Sequence, residues 1–305
     1  MNKVLLSDVE NNTGLRITND SLLNRSNSSC LEYENLNSEE MEEYILSYLK
    51  ALDLQALPQA GQHRITDWEN GWTQNLDEFK KSKNIRDLIP KYHTKNAVAK
   101  LNKKIIKTFS KDFDYHLHSF FVDAVLLNYL SSFNKVFEFG CGTGYHLFRL
   151  NDYFPNKNYI GLDWAESSKK SIDFYTKTFN LSNINAVKFD YYKPDYNVNI
   201  KDSLIYTVAS LEQIGDQHTA LIDYFLSSKP GLCIHFEPIH EVLDDNNLID
   251  FLNRKYFLKR NYLKNYLTTL RKLEKQKKLE IITVRRLNYG SKFIEGHTLI
   301  IWKPI

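Results

Sequence analysis

Three glycines at alternate positions, Gly140, Gly142 and Gly144, follow the apolar run Val136-Phe137-Glu138-Phe139. Three acids accompany them: Glu138 lies two residues before the first glycine, Asp163 stands 19 residues beyond the last, and Asp190 follows later. A glycine turn between a strand and a helix can bend sharply and lie against a ligand, because no Cβ intervenes. The N–H groups of the helix that follows then face that ligand. An acid closing the second strand can accept both hydroxyls of a ribose. The chemistry this predicts is recognition of a nucleoside-bearing ligand by a crevice with three carboxylates along one edge.

The spacing separates two such ligands. A dinucleotide site usually reads G-x-G-x-x-G, with a pyrophosphate on the helix N-terminus. This chain reads E-x-G-x-G-x-G over residues 138–144. A carboxylate there is poor company for a diphosphate and suits a ligand with an ammonium or sulfonium charge; S-adenosylmethionine carries both.

The elements that must position these residues alternate in type. Strands are expected at 135–139, 158–163, 184–190, 203–210 and 232–237, with helices at about 145–154, 166–179 and 217–228 between them. An apolar helix over about 115–133 leads in, and a long helical region over 248–279 follows the fifth strand. Two closing strands, 280–287 and 297–302, have too short a connection for a right-handed crossover, so they pair antiparallel. The expected fold class is α/β: a seven-stranded doubly wound sheet, mostly parallel with an antiparallel last strand, plus a helical N-terminal cap.

The domains then divide as a flexible N-terminal arm (1–35), a helical cap region (36–112), and a Rossmann-like domain (113–305) with a helical insert at about 241–279. The arm is rich in Asn and Ser and shows no period. Asn37 and Glu40 form a capping box ahead of an amphipathic helix that ends before Pro58. The basic stretch 95–109 has helical spacing. Trp68 and Trp72, four apart, either anchor their segment to the main domain or form an aromatic wall over a pocket.

The 305 residues are 42% hydrophobic and 25% charged, which excludes disorder throughout. No apolar run approaches the roughly 18 residues of a spanning helix, and no secretory signal is visible, so the expectation is a cytoplasmic protein without a membrane partner. Cys30, Cys141 and Cys233 are too scattered for a disulfide framework, and no His/carboxylate spacing suggests a metal. Net charge is +3, yet residues 250–278 hold ten bases against Asp250 and Glu274. That asymmetry is either a solvated helix face or an anion-binding one.

The segments VFEFGCGTG (136–144), YIGLDWAESS (159–168), KFDYY (188–192), SLEQI (210–214) and KPGLCIHFEP (229–238) resemble the class I (Rossmann-like) S-adenosylmethionine-dependent methyltransferases. The resemblance runs from near Asp114 to the C-terminus. It implies S-adenosyl-L-methionine as cofactor. The backbone of Gly140, Gly142 and Gly144, with Cys141 in the same turn, would bound the methionine moiety, and Glu138 would sit near its amino group. Asp163 would take the ribose hydroxyls and Trp164 the adenine face. Asp190 would accept from the adenine amine, with Tyr191 beside it. Ser210, Leu211, Glu212 and Gln213 would face the methyl group; many small-molecule members carry a histidine where this chain has Gln213.

Proton removal from an acceptor needs a base, and Glu212, Gln213, Glu237 and His240 form the candidate catalytic set. Glu237 closes the fifth strand and should open on the crevice, whereas His235, one pleat deeper, reads as a satisfied core histidine. His218 reads as a surface residue, and one of His63, His93, His116 and His118 could reach the pocket from the N-terminal region. The expected reaction is methylation of O or N on an enclosed small-molecule acceptor, anionic in the manner of a phosphorylated, carboxylated or sugar metabolite. Two other readings stand beside it. One is an RNA or tRNA methyltransferase using the basic 250–278 helix with stacking tyrosines; the other is a non-catalytic nucleotide-binding module.

Overall fold

A computed structural model describes residues 1–55, 57–94, 97–294 and 297–305. Its centre is set by strands whose side chains are apolar on both faces. β5 (Lys135–Phe139), β8 (Leu204–Val208) and β9 (Leu232–Glu237) are buried almost throughout, as expected for parallel strands covered on both sides. β6 (Asn158–Asp163) and β7 (Ile184–Lys188) extend the parallel set on one flank. On the other, β12 (Thr298–Pro304) runs antiparallel between β9 and β10 (Leu279–Arg286). The seven-stranded order is β10-β12-β9-β8-β5-β6-β7, so the expected sheet and its antiparallel last strand are both present.

Alternation along β5 sends Val136 into one core and Phe137 and Phe139 into the other. The first core takes α5 (Phe113–Leu130), α6 (Tyr145–Tyr153) and α7 (Glu166–Phe179). The second takes α8 (Thr219–Ser228) and α10 (Tyr266–Lys275). α5 is buried nearly all round, because the N-terminal residues cover the side that the sheet does not.

Those N-terminal residues correct the expectation of a flexible arm. β1 (Asn2–Lys3), α1 (Leu6–Thr13), α2 (Asp20–Leu23) and β2 (Glu32–Asn35) place Val4, Val9, Leu22 and Leu31 in the main core. The Asn residues that read as disorder serve local structure instead; Asn19 caps α2, accepting from Ser21 N and Leu22 N.

The cap region is not purely helical either. α3 (Ser38–Asp53) forms behind the Asn37–Glu40 capping box as expected, and α4 (Ile65–Ser82) carries both tryptophans. The basic stretch, however, is a hairpin, β3 (Val98–Leu101) and β4 (Lys104–Thr108); Lys95 and Asn96 lie outside the described residues. Asn102 and Lys103 turn it with φ of 53° and 63°, and the branched Val98, Ile105, Ile106 and Thr108 suit a strand. With β11 (Tyr289–Gly290), taken from the β10–β12 connection, these strands make a second sheet, β1-β2-β4-β3-β11. The expected long helix over 248–279 is two: α9 (Leu248–Lys259) and α10, parted where Asn261 and Asn265 adopt left-handed backbone. No described helix is long and apolar enough to cross a membrane.

Candidate functional site

The glycine turn has the geometry its sequence requires. Gly140 has φ +72°, and a Cβ there would meet Ser210 Cβ at 2.3 Å and Tyr191 Oη at 2.7 Å. Gly142 has φ +53° and lies under the Trp72 ring, 3.0 Å from where its Cβ would be. Only glycine fits both the backbone region and the space. Gly144 is different: it caps α6 and faces Ile172 and Phe148 in the core rather than the cavity.

Asp163 ends β6 and ties the turn to the next helix. Its Oδ2 accepts from Gly142 N and its Oδ1 from Ala165 N, each at 2.9 Å. Burial pushes its carboxyl up to about 6, against those two hydrogen bonds. Glu138 is buried between Tyr206, whose hydroxyl donates to Oε2 at 3.0 Å, and His146, whose Nδ1 lies 2.7 Å from Oε1. Desolvation holds the Glu138 carboxyl well above, and the His146 imidazole well below, their ordinary ranges. A neutral pair sharing one hydrogen bond is the state this favours.

These groups open on a narrow slot. Glu138, Gly140, Cys141, Gly142, Asp163 and Trp164 line it together with Tyr191, Ser210 and Gln213. Trp68 and Trp72, stacked at 5.4 Å between ring centroids, roof the other side. The tryptophan pair therefore both anchors α4 and walls the cavity. Beneath it, Glu69 accepts from Ser167 N at 3.0 and 3.2 Å, a carboxylate set at the N-terminus of α7.

A chamber of about 340 Å³ adjoins the slot and shares Trp68, Tyr92, Ala209 and Gln213 with it. Its walls come from distant parts of the chain: Arg64 from the α4 approach, Glu212 after β8, Tyr256, Arg260 and Tyr262 around the end of α9, and Tyr289 and Phe293 before β12. Three imidazoles, His93, His118 and His297, complete them. His118 sits at the centre, 4.9 Å from His93, 5.1 Å from His297 and 5.8 Å from His146 by ring centroids. Burial holds His118 well below its usual range and His297 down to about 3. His93 alone has a carboxylate beside it, its Nδ1 3.6 Å from Asp114 Oδ2. Among the described residues, no set of three or more His, Cys, Asp or Glu side chains converges on a metal position.

Of the expected catalytic set, the structure brings Glu212 and Gln213 to the chamber and leaves the others out. Glu212 is buried with its carboxyl pushed up to about 8, by desolvation and then by Glu237, with Arg260 opposing. Gln213 Nε2 donates to Glu212 Oε1 at 2.9 Å. Glu237 does not open on the crevice. It is fully buried; Oε1 accepts from Ser210 N and Leu211 N at 3.1 Å and Oε2 from Glu212 N at 3.3 Å. Its work is to hold the loop after β8, because the strand ends under that loop. His240 lies on the loop beyond, its Nδ1 donating to Leu263 O at 3.2 Å, away from both cavities. Asp190 accepts from Tyr192 N at 2.9 Å and stands behind the slot, whose wall is instead Phe189 and Tyr191.

His235 is a satisfied core histidine. Trp302 Nε1 and Tyr266 Oη donate to its Nε2 at 2.9 and 3.0 Å, and Nδ1 lies 2.9 Å from Thr207 Oγ1. His218, read as a surface residue, is buried with Nε2 donating to Lys264 O at 2.8 Å. The basic segment presents no stacking face: Tyr256, Tyr262 and Tyr266 are all buried. His146 and His297 are additional to the residues expected from the sequence. Each carried a signal, His146 in the first turn after the glycines and His297 at the start of an antiparallel strand, hence at the same sheet edge as the acids.

No family model matches the chain, and no curated protein matches it. Among solved structures, it is similar to an O-methyltransferase (NcsB1) from neocarzinostatin biosynthesis, in complex with S-adenosyl-L-homocysteine and 1,4-dihydroxy-2-naphthoic acid. The TM-score is 0.46 at 14% identity, covering 62% of this chain and 56% of that one. It is similar also to magnesium protoporphyrin IX methyltransferase from Synechocystis PCC 6803 (TM-score 0.46, 14% identity, 62% and 84% covered). A third is the PH0226 protein from Pyrococcus horikoshii OT3 (0.43, 17%, 64% and 92%). The chain thus spans just over half the length of NcsB1. At this degree of likeness, no residue role passes from those proteins to this one.

Proposed function

We propose that the protein is a methyltransferase of the class I S-adenosylmethionine-dependent type, acting on a small molecule held in the chamber. The observation that carries this reading is the slot: a glycine cradle that a Cβ would fill, with acids at the ends of β5 and β6 and an aromatic roof. Those features suit a cationic adenosyl ligand and offer nothing to a diphosphate. The buried Nε2 of His146, without a protein partner, adds a polar contact that such a ligand can meet.

Asp163 would hold the ribose hydroxyls, since a carboxylate that already accepts two N–H groups retains further lone pairs. Trp164 would lie against the base, and Glu138 beside the amino group. When bound, S-adenosylmethionine supplies an electrophilic methyl group on a positively charged sulfur. The chain's own contribution is alignment and exclusion of water, which together can lower a barrier by several kcal/mol. Gln213, common to slot and chamber, marks where donor and acceptor meet. An O–H or N–H acceptor must also lose a proton, and His93, backed by Asp114, is the chamber imidazole best supported to take it. The same arrangement favours a small acceptor over a nucleic acid, because the tyrosines that would stack on bases face inward.

Differential scanning fluorimetry tests the reading. S-adenosylhomocysteine is expected to raise the melting temperature of the wild-type chain, NADH to leave it unchanged, and Asp163→Ala to abolish the shift. Stabilisation by NADH alone contradicts the donor assignment.

A further inference from the structure

Residues that line the chamber carry buried polar atoms that the protein itself does not satisfy. Arg64 Nη1, Trp68 Nε1 and Arg260 Nε are buried donors without a protein partner; Gln213 Oε1 is a buried acceptor in the same condition, and Glu212 Oε2, on a carboxyl that burial raises to about 8, can donate or accept. His93 Nδ1 and His297 Nδ1 add two groups that serve either way. All seven belong to residues lining one cavity. Buried polar groups in native proteins are nearly always paired, and leaving one unpaired is costly. So dense a collection in one place points to a ligand that supplies the missing partners.

The arrangement constrains that ligand's chemistry. Donors and acceptors both belong to this lining: Arg260 packs over the Tyr262 ring at 5.0 Å, Arg64 over Trp68 at 5.5 Å, and Gln213 donates to Glu212. Arg64 and Glu212 come from distant parts of the chain, yet both line this chamber, together with Trp68 and Tyr262. A flat aromatic acid would satisfy a cation at one edge and leave the carboxyl and amide unpaired. An amine would do the reverse. A ring bearing hydroxyls along its whole rim offers a donor and an acceptor at every position, and its C–H faces pack on aromatic side chains such as Tyr92, Tyr256 and Phe293. The guanidinium, carboxyl and amide groups present are also the planar, two-pronged groups that grip neighbouring hydroxyls.

We infer that the chamber binds a polyhydroxylated ring, a sugar or cyclitol, through the mixed donors and acceptors of Arg64, Arg260, Glu212 and Gln213, so that a ring hydroxyl is the group presented toward the slot. This rests on the proposed donor reading for which face is presented, but not for the binding itself. Arg64 and Arg260 also leave room for a phosphate substituent, as on an activated sugar, and the test separates the two forms.

The full-length protein is titrated calorimetrically with myo-inositol, methyl α-D-glucopyranoside and glucose 1-phosphate, and with salicylate and tyramine as flat aromatic probes. Each titration is run with and without saturating S-adenosylhomocysteine. Saturable binding of at least one hydroxylated ring is expected, weakened about tenfold or more in Glu212→Ala and in Arg260→Lys, the loss of one good polar contact. A preference for glucose 1-phosphate over the neutral glucoside identifies the phosphorylated form. Unchanged S-adenosylhomocysteine affinity in both variants shows that fold and slot are intact. Binding of the aromatic probes in place of the rings overturns the inference, as does silence from every ring. Failure of S-adenosylhomocysteine to bind overturns the donor reading alone, because the titrations without it still report on the chamber.

Discussion

The slot and the chamber share four residues and are built on opposite plans. The slot is built round a glycine turn and acids at strand ends; the lining residues between Glu138 and Ile214 are joined by Trp68 and Trp72 of α4 and by Pro90 and Tyr92. The chamber is made of side chains from segments as far apart as Arg64 and His297. A site formed by a turn is fixed by local conformational needs, so few sequences can supply it. A site formed by converging side chains depends on how distant segments pack, and many sequences can supply one. The first kind can be recognised from residue spacing; the second only after folding.

Asp163→Ala should separate the two regions most sharply. Losing a carboxylate that accepts two hydroxyls removes charge-assisted hydrogen bonds of about 1.5–3 kcal/mol each, a drop in S-adenosylhomocysteine affinity of about 100-fold or more. Chamber probes should bind as before. Equal loss in both cavities, read by calorimetry, would mean that the two are not independent. Gly142→Ala comes next. A side chain at φ +53°, set against the Trp72 ring, should cost about 1–3 kcal/mol of folding free energy in a denaturant titration. No change would show that the turn tolerates a Cβ and that the cradle argument is wrong.

Glu212 gives the chamber a pH signature. Its carboxyl titrates near 4.5 when unfolded and at about 8 in the folded chain. Between those values the folded state holds the extra proton, so raising the pH through this window disfavours folding. Glu212 therefore contributes a fall in stability as pH rises from 5 to 8, opposed below about 6.5 by the buried neutral His118, His146 and His297. Glu212→Gln should remove that contribution from the slope. Glu237, pushed up to about 7, will preserve part of the fall at the lower end. An unaltered slope in Glu212→Gln would remove the case for a protonated Glu212. The smallest effect is expected at His240, which touches neither cavity. His240→Ala should cost about 0.5–1.5 kcal/mol, the loss of its hydrogen bond to Leu263 O, and leave both ligand affinities unchanged.

Much of the main sheet was legible because its strands are short apolar runs separated by helices with clear stops. The strands at 135–139, 158–163 and 232–237 matched residue for residue, and the antiparallel closing pair followed from connection length alone. The N-terminal third was harder. Asn19 and Asn102 look alike in composition, yet one caps a helix and the other turns a hairpin. Val98–Thr108 fits helical spacing and strand alternation almost equally, and the choice was made by pairing with β2 and β11, which no local pattern reveals. Side-chain direction set a second limit. Glu237 has the parity of a crevice residue, but the loop it clamps folds back over it. Histidines were limited in the same way: His93 and His118 stood among four candidates and His297 among none, because they meet only where α5, β12 and the turn at 91–94 converge.

The central claim is that the slot holds an adenosyl donor. A crystal of the full-length protein soaked with S-adenosylhomocysteine tests it most directly. The account predicts the ribose hydroxyls on Asp163, the methionine end along Gly140–Gly142 and the sulfur directed at the chamber. Density for the ligand elsewhere, or a slot still closed by Trp72 on Gly142 at saturating ligand, would contradict it.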